Sequence, residues 1–67
     1  MTKEEKIIAT AYTGIMFING EDLGELYAYE EKKLGYGVLD IMHANEDFNK
    51  KIKAAVREDF INMLQKE

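Results

Sequence analysis

A glutamate stands where the periodicity of a helix calls for an apolar residue. Leu23, Leu26, Tyr27 and Leu34 recur at the spacing of an amphipathic helix, and Glu30 falls in the middle of the same face. A buried carboxylate is costly unless it has a partner, shifts its pKa or lines a site. This face therefore marks a location that the fold must accommodate, although it does not specify a reaction.

Two interpretations of Glu30 remain open. A partly buried carboxylate with a raised pKa is the kind of group that acts as an acid, a base or a ligand contact. The alternative is a structural carboxylate at the edge of the core. In either case we expect Glu30 to be less exposed than Glu31 and to have a definite partner. A lysine, a tyrosine hydroxyl such as that of Tyr12, or a group on a second subunit would serve.

The size of the chain limits its core. Sixty-seven residues form one domain, 1–67, and the absence of cysteine excludes a disulfide scaffold and thiolate zinc sites. Small folds without such cross-links are hard to stabilise, yet 46% of the residues are hydrophobic. We therefore expect a homo-oligomer, most simply a symmetric dimer.

The charge of the chain restricts its partners. A net charge of −4 disfavours direct binding to nucleic-acid duplexes, which attract basic proteins. It suits a basic partner protein or serves solubility alone, and the small excess in a chain that is 33% charged favours solubility. The apolar stretch Ile7–Ile18 is too short to span a bilayer and lacks the features of a signal peptide. The expected location is the cytoplasm, with no membrane contact and no cofactor.

Capping signals divide the chain into helices. Thr2 and Glu5 form a capping box that opens the first helix, which should end between Thr13 and Phe17. Asn19 or Gly20 is expected to cap a second helix that continues to about Leu34. Gly35 is expected to end this helix. A brief helical turn is expected over 40–44, and Asn45 is expected to cap a long final helix.

The predicted fold is all-α or nearly so, a small, self-associating domain of three to four helices. Two segments, 15–18 and 36–39, can be either extended or helical on sequence grounds. Ile15, Phe17 and Ile18 are strand formers, which is why the end of the first helix is ambiguous.

The segment Thr10–Gly14 concentrates hydroxyl groups and a glycine at a helix end. Tyr12, Thr13 and Gly14 can present hydrogen-bond donors and a close backbone approach to an anionic or nucleotide-like ligand. The same threonines can instead bond back to carbonyls of their own helix. The sequence favours neither interpretation.

Other polar residues carry weaker signals. Asp59 lies within the apolar stripe of the final helix, where we expect it to accept a hydrogen bond from Tyr12 or Thr13 and fix helix register. His43, the single histidine, is expected to be a surface or capping group, because no catalytic set can be assembled around it. Tyr29 belongs to a group of tyrosines that are as often interface anchors as core residues.

The chain resembles a known family along most of its length. The segment Ile8–Gly14, the pattern Tyr29-x-Glu31-x-x-Leu34-Gly35 and the pair Asp59-Phe60 are similar to short, uncharacterised phage and prophage proteins of low-GC bacteria. This chain has Tyr36-Gly37 where the family usually has Arg-Pro, and the family is typically apolar at position 30. The resemblance therefore points to six candidate binding residues, Tyr12, Thr13, Gly14, Tyr29, Glu31 and Asp59, to which its own Glu30 is added.

Two functions compete. The resemblance, the small size and the acidity favour a non-enzymatic, phage-type accessory protein that binds and inhibits a host factor, such as a component of a bacterial defence system. The alternative is an oligomeric sponge that sequesters a small nucleotide-like signalling ligand, held by the Tyr12–Gly14 turn and Tyr29 at a subunit interface. An independent enzyme is disfavoured because no convincing catalytic constellation or cleft is evident.

Overall fold

The first helix begins and ends where the capping signals place it. In the computed structural model, which describes residues 1–65, helix α1 spans Lys3–Thr13. The Thr2 hydroxyl accepts a hydrogen bond from the Glu5 N–H, and the Glu5 carboxylate accepts one from the Thr2 N–H. Gly14 ends the helix at φ 77°, a left-handed conformation that glycine adopts without steric cost.

Helix α2 spans Leu23–Leu34 and stops at Gly35, whose φ is 83°. The prediction for its stop is confirmed, and the one for its start is wrong. A short 3₁₀ turn, Gly20–Asp22, precedes the helix, and the Asn19 side chain makes no capping hydrogen bond. At the start of α2, Leu23 packs against the core and no side chain caps the helix.

The second half of the chain follows the predicted order. A 3₁₀ turn spans Asp40–Ala44, and helix α3 spans Glu46–Gln65. The Asn45 side-chain oxygen accepts hydrogen bonds from the N–H groups of Asp47 and Phe48, at 2.8 and 3.1 Å, which caps α3. The open segments 15–18 and 36–39 both lie outside the helices.

The three helices enclose one hydrophobic core. α1 packs most extensively against α3, and α2 contacts both. Ile52 and Val56 of α3 are at the centre, almost completely inaccessible to solvent. The other buried apolar residues of this core are Ile7, Ala11, Ile18, Leu26, Val38 and Phe48.

The structure confirms a small all-α fold: residues 1–65 contain three α-helices, two 3₁₀ turns and no strand. Within the same residues, no helix is both long enough and apolar enough to cross a bilayer.

Candidate functional site

The unusual carboxylate of α2 is paired inside the protein. Glu30 is only 1% exposed, whereas Glu31 is exposed, which confirms the expected difference between the two. The Glu30 Oε1 atom lies 2.7 Å from Nε2 of His43, in the second 3₁₀ turn. Burial raises the pKa of Glu30 above its ordinary value of 4.5, and the hydrogen bond to His43 opposes that rise. With Glu30 ionised, Nε2 carries the proton and donates it.

His43 is packed between aromatic rings. Its ring stacks on Tyr27 with the centroids 4.9 Å apart, and the edge of Phe48 meets it at 5.2 Å. The second ring nitrogen, Nδ1, is buried without a hydrogen-bond partner in the described part of the chain. The neighbouring Asp40 carboxylate, together with burial, raises the pKa of Tyr27 to about 12.

Two expectations about this pair are therefore wrong. The partner of Glu30 is neither a lysine nor Tyr12 but His43, and His43 is not a surface or capping group. Helical periodicity identifies Glu30 because its neighbours are on the same helix. It does not identify His43, which lies 13 residues away on a different element whose placement depends on tertiary packing.

The threonines of the Thr10–Gly14 segment bond in two directions. The Thr10 hydroxyl donates to the Lys6 carbonyl at 2.8 Å and accepts from the Phe17 N–H at 3.1 Å. The Thr13 hydroxyl donates to the Ala9 carbonyl at 2.6 Å and accepts from the Ile15 N–H at 3.1 Å. The back-bonding interpretation thus holds, and the same hydroxyls also organise the chain that follows the helix.

That following segment exposes three large apolar side chains in succession. Ile15, Met16 and Phe17 are 61%, 58% and 39% exposed, and we call them the apolar turn. Ile18, the next residue, is buried in the core and anchors the segment. Hydrogen bonds from Thr10 and Thr13 fix the backbone on one side and Ile18 fixes it on the other, so the apolar turn is held in a defined shape.

Asp59 has different partners from those expected. Its Oδ2 atom accepts a hydrogen bond from the Tyr29 hydroxyl at 2.7 Å and pairs with the Lys33 ammonium group at 2.7 Å. Neither Tyr12 nor Thr13 donates to it. The pKa of Asp59 lies below its usual value, chiefly because of Lys33 and secondly because of Tyr29. The pKa of Tyr29 is raised, chiefly by burial and secondly by the hydrogen bond to Asp59. The interaction joins α2 to α3, the predicted partners of Asp59 are wrong, and its role in helix register stays a prediction.

The remaining candidates have structural contacts. Tyr12 stacks on Phe60, with centroids 4.3 Å apart and planes 11° from parallel, and the Lys53 ammonium group lies 5.0 Å from the Tyr12 ring centre. Glu31 accepts a hydrogen bond from the Val38 N–H at 3.0 Å, which ties the segment after α2 back to that helix.

Some of the candidate binding residues line one groove, and others do not. A cavity of about 450 Å³ opens between the end of α1, the start of α2, the second 3₁₀ turn and the first half of α3. The candidates Tyr12, Thr13, Gly14 and Glu30 line this groove, with His43. Tyr29 and Asp59, expected to act beside them, line a separate depression next to Lys33. Among residues 1–65, no three His, Cys, Asp or Glu side chains gather in a way that could hold a metal ion.

Comparison with known proteins adds no relative: no known family, curated protein or solved structure matches the chain. The site must therefore be interpreted from its own geometry.

Proposed function

We propose that this chain is a non-enzymatic accessory protein of phage type that binds a host protein in the cytoplasm and inhibits it. The apolar turn is the observation that carries the proposal. Three large apolar side chains exposed in a row on a small acidic protein are typical of a protein-binding surface. The family resemblance supplies the phage origin and, with it, the host as the source of the partner.

The hydrogen bonds of Thr10 and Thr13 support this assignment. Because they fix the backbone at Ile15 and Phe17, the backbone of the apolar turn does not need to be ordered when a partner binds. A surface that is ordered in advance loses less conformational entropy on association. The Thr10–Gly14 segment thus contributes to binding by shaping the apolar turn.

The chemistry of the partner follows from the surface. A complementary protein offers an apolar pocket for the side chains of Ile15, Met16 and Phe17. The net charge of −4 favours a basic rim around that pocket, because opposite potentials accelerate encounter and exclude acidic competitors.

Replacing Ile15 with glutamate is expected to abolish capture of the partner. A carboxylate forced into an apolar contact is costly, so binding should weaken by at least about tenfold. Ile15 is exposed, so the fold itself should be retained. The measurement compares proteins captured from the lysate of a low-GC bacterium by the wild-type chain and by the variant. The activity of the captured protein is then assayed with and without the chain.

Leu64 provides a control. It is also an exposed apolar side chain, at 54%, but lies near the end of α3, far from the apolar turn in sequence. The Leu64→Glu variant should capture the same protein as the wild type. The proposal fails if no protein is enriched by the wild type relative to Ile15→Glu, if both variants lose the protein equally, or if the captured protein works normally when bound.

We also propose that the chain associates with itself, and we assign the contact to a second apolar patch. Tyr36, Leu39 and Ile41 are all exposed, and Tyr36 and Ile41 line one depression. Burying this patch against a second copy would supplement the small core. Light scattering at tens of micromolar should give at least the mass of a dimer for the wild type and for Ile15→Glu, and the monomer mass for Ile41→Glu. A wild-type monomer would refute self-association.

A further inference from the structure

The groove beside α1 is lined by groups of opposite chemical character. On one wall α1 terminates, and beyond Gly14 the residues after it do not bond to its last carbonyl groups. The Gly14 N–H bonds to the Thr10 carbonyl, but the N–H groups of Ile15 and Phe17 bond to threonine hydroxyls. Carbonyl groups in the last turn of α1 therefore remain available as hydrogen-bond acceptors, and this turn lines the groove.

The α3 wall of the groove is cationic. Lys50 and Lys53 both line it, and their spacing places them on the same face of α3. Neither forms an ion pair with a carboxylate in the described part of the chain, although the protein is acidic overall. Lys53 is instead held above the ring of Tyr12. Two unpaired ammonium groups on one wall can hold a single anionic group.

Aromatic rings line the same groove. Tyr12 and Tyr27 come from different helices, and both line the groove. Each is held by a ring behind it, Phe60 for Tyr12 and His43 for Tyr27. Phe60 and Lys53 cover the faces of Tyr12, so Tyr12 offers its edge to a planar ligand, whereas Tyr27 is held by stacking on one side only. The volume of about 450 Å³ lies within the range of small-molecule sites.

We propose that this groove binds a nucleoside monophosphate. The base lies against Tyr27 and the edge of Tyr12 with its N–H groups donating to the carbonyls at the end of α1, and the phosphate lies between Lys50 and Lys53. The inference goes beyond the docking of a host protein and does not depend on it, since the two lysines lie outside the apolar turn, from which only Met16 also lines the groove. It also leaves Tyr29 out of the ligand site, because Tyr29 lines the other depression.

The test is a titration of the isotope-labelled chain with AMP, GMP, CMP and UMP, followed by its amide spectrum. At least one nucleotide should shift the amides of residues 12–14 and 49–53 in a saturable way. Inorganic phosphate alone and the matching nucleoside alone should each bind at least about tenfold more weakly, because each lacks half of the contacts. The inference is overturned if no nucleotide saturates at millimolar concentration, or if phosphate alone binds as well as the nucleotide.

Charge variants on α3 separate a site from general attraction. Lys50→Gln and Lys53→Gln should each lower the affinity about tenfold, because each removes a charge-assisted hydrogen bond. Lys32→Gln removes the same charge from an exposed lysine of α2 that lines the depression of Tyr29 and Asp59, and its affinity should equal that of the wild type. Equal losses for Lys32→Gln and Lys53→Gln would overturn the inference. Loss of nucleotide binding with host-protein capture intact would count against this site alone.

Discussion

The His43→Ala variant is expected to lose about 2 to 3 kcal/mol of unfolding free energy relative to the wild-type chain. The substitution removes the hydrogen-bond partner of a carboxyl that is 1% exposed, and it removes a ring packed against Tyr27 and Phe48. Removing one member of a buried pair leaves the other without compensation. For a domain of this size such a loss is a large fraction of total stability. Urea unfolding followed by circular dichroism measures it.

A second variant separates the hydrogen bond from the packing. His43→Phe keeps an aromatic ring beside Tyr27 and Phe48 but has no donor for Glu30. Most of the destabilisation should therefore persist in His43→Phe. If that variant is as stable as the wild type, the hydrogen bond to Glu30 contributes nothing and the stabilising role assigned to the pair is incorrect.

Replacing Glu30 with glutamine is expected to stabilise the protein at neutral pH and to flatten its pH profile. Burial raises the pKa of Glu30, so the folded chain retains this proton to a higher pH than the unfolded chain does. The corresponding stability is fully present below the ordinary value of 4.5 and is lost as pH rises through the raised pKa. Glutamine resembles the protonated form in shape and does not titrate, so the advantage of Glu30→Gln should grow as pH rises.

Melting temperatures of the two proteins between about pH 4.5 and pH 8 test this. Asp59 does not affect this comparison. Its pKa is lowered in the folded chain, so its contribution to stability is lost as pH falls below its ordinary pKa of 3.8, outside the measured range. Glu58 provides the control, since it is an exposed glutamate on α3, and Glu58→Gln should follow the wild-type profile. A difference between Glu30→Gln and the wild type that shrinks as pH rises would contradict the assignment.

Local signals in the sequence predict most of the fold. The Thr2–Glu5 capping box, Gly14, Gly35 and Asn45 mark helix ends within a few residues, because each capping interaction involves neighbours in the chain. The start of α2 is the exception. There the chain forms a 3₁₀ turn without a side-chain cap, and the packing of Leu23 against the core rather than a local signal marks the boundary.

The site is less accessible to such reasoning because its contacts join distant parts of the chain. Periodicity identifies Glu30 and Asp59 as acids on apolar faces, but their partners, His43 and Tyr29, lie on other elements. The same holds for the groove, whose two lysines come together with Tyr12 only after α1 packs on α3. The exposed run Ile15–Phe17 is visible in the sequence only as strand-forming residues, since its exposure depends on the threonine hydrogen bonds that end α1.

The central claim is that the apolar turn docks the host protein. The most direct measurement is the amide spectrum of the isotope-labelled chain during titration with the captured protein. The largest early changes should fall on Ile15, Met16 and Phe17, with little change at residues 36–41. Changes that centre on residues 36–41, or that spread evenly over the acidic surface while the apolar turn is unaffected, would contradict the claim.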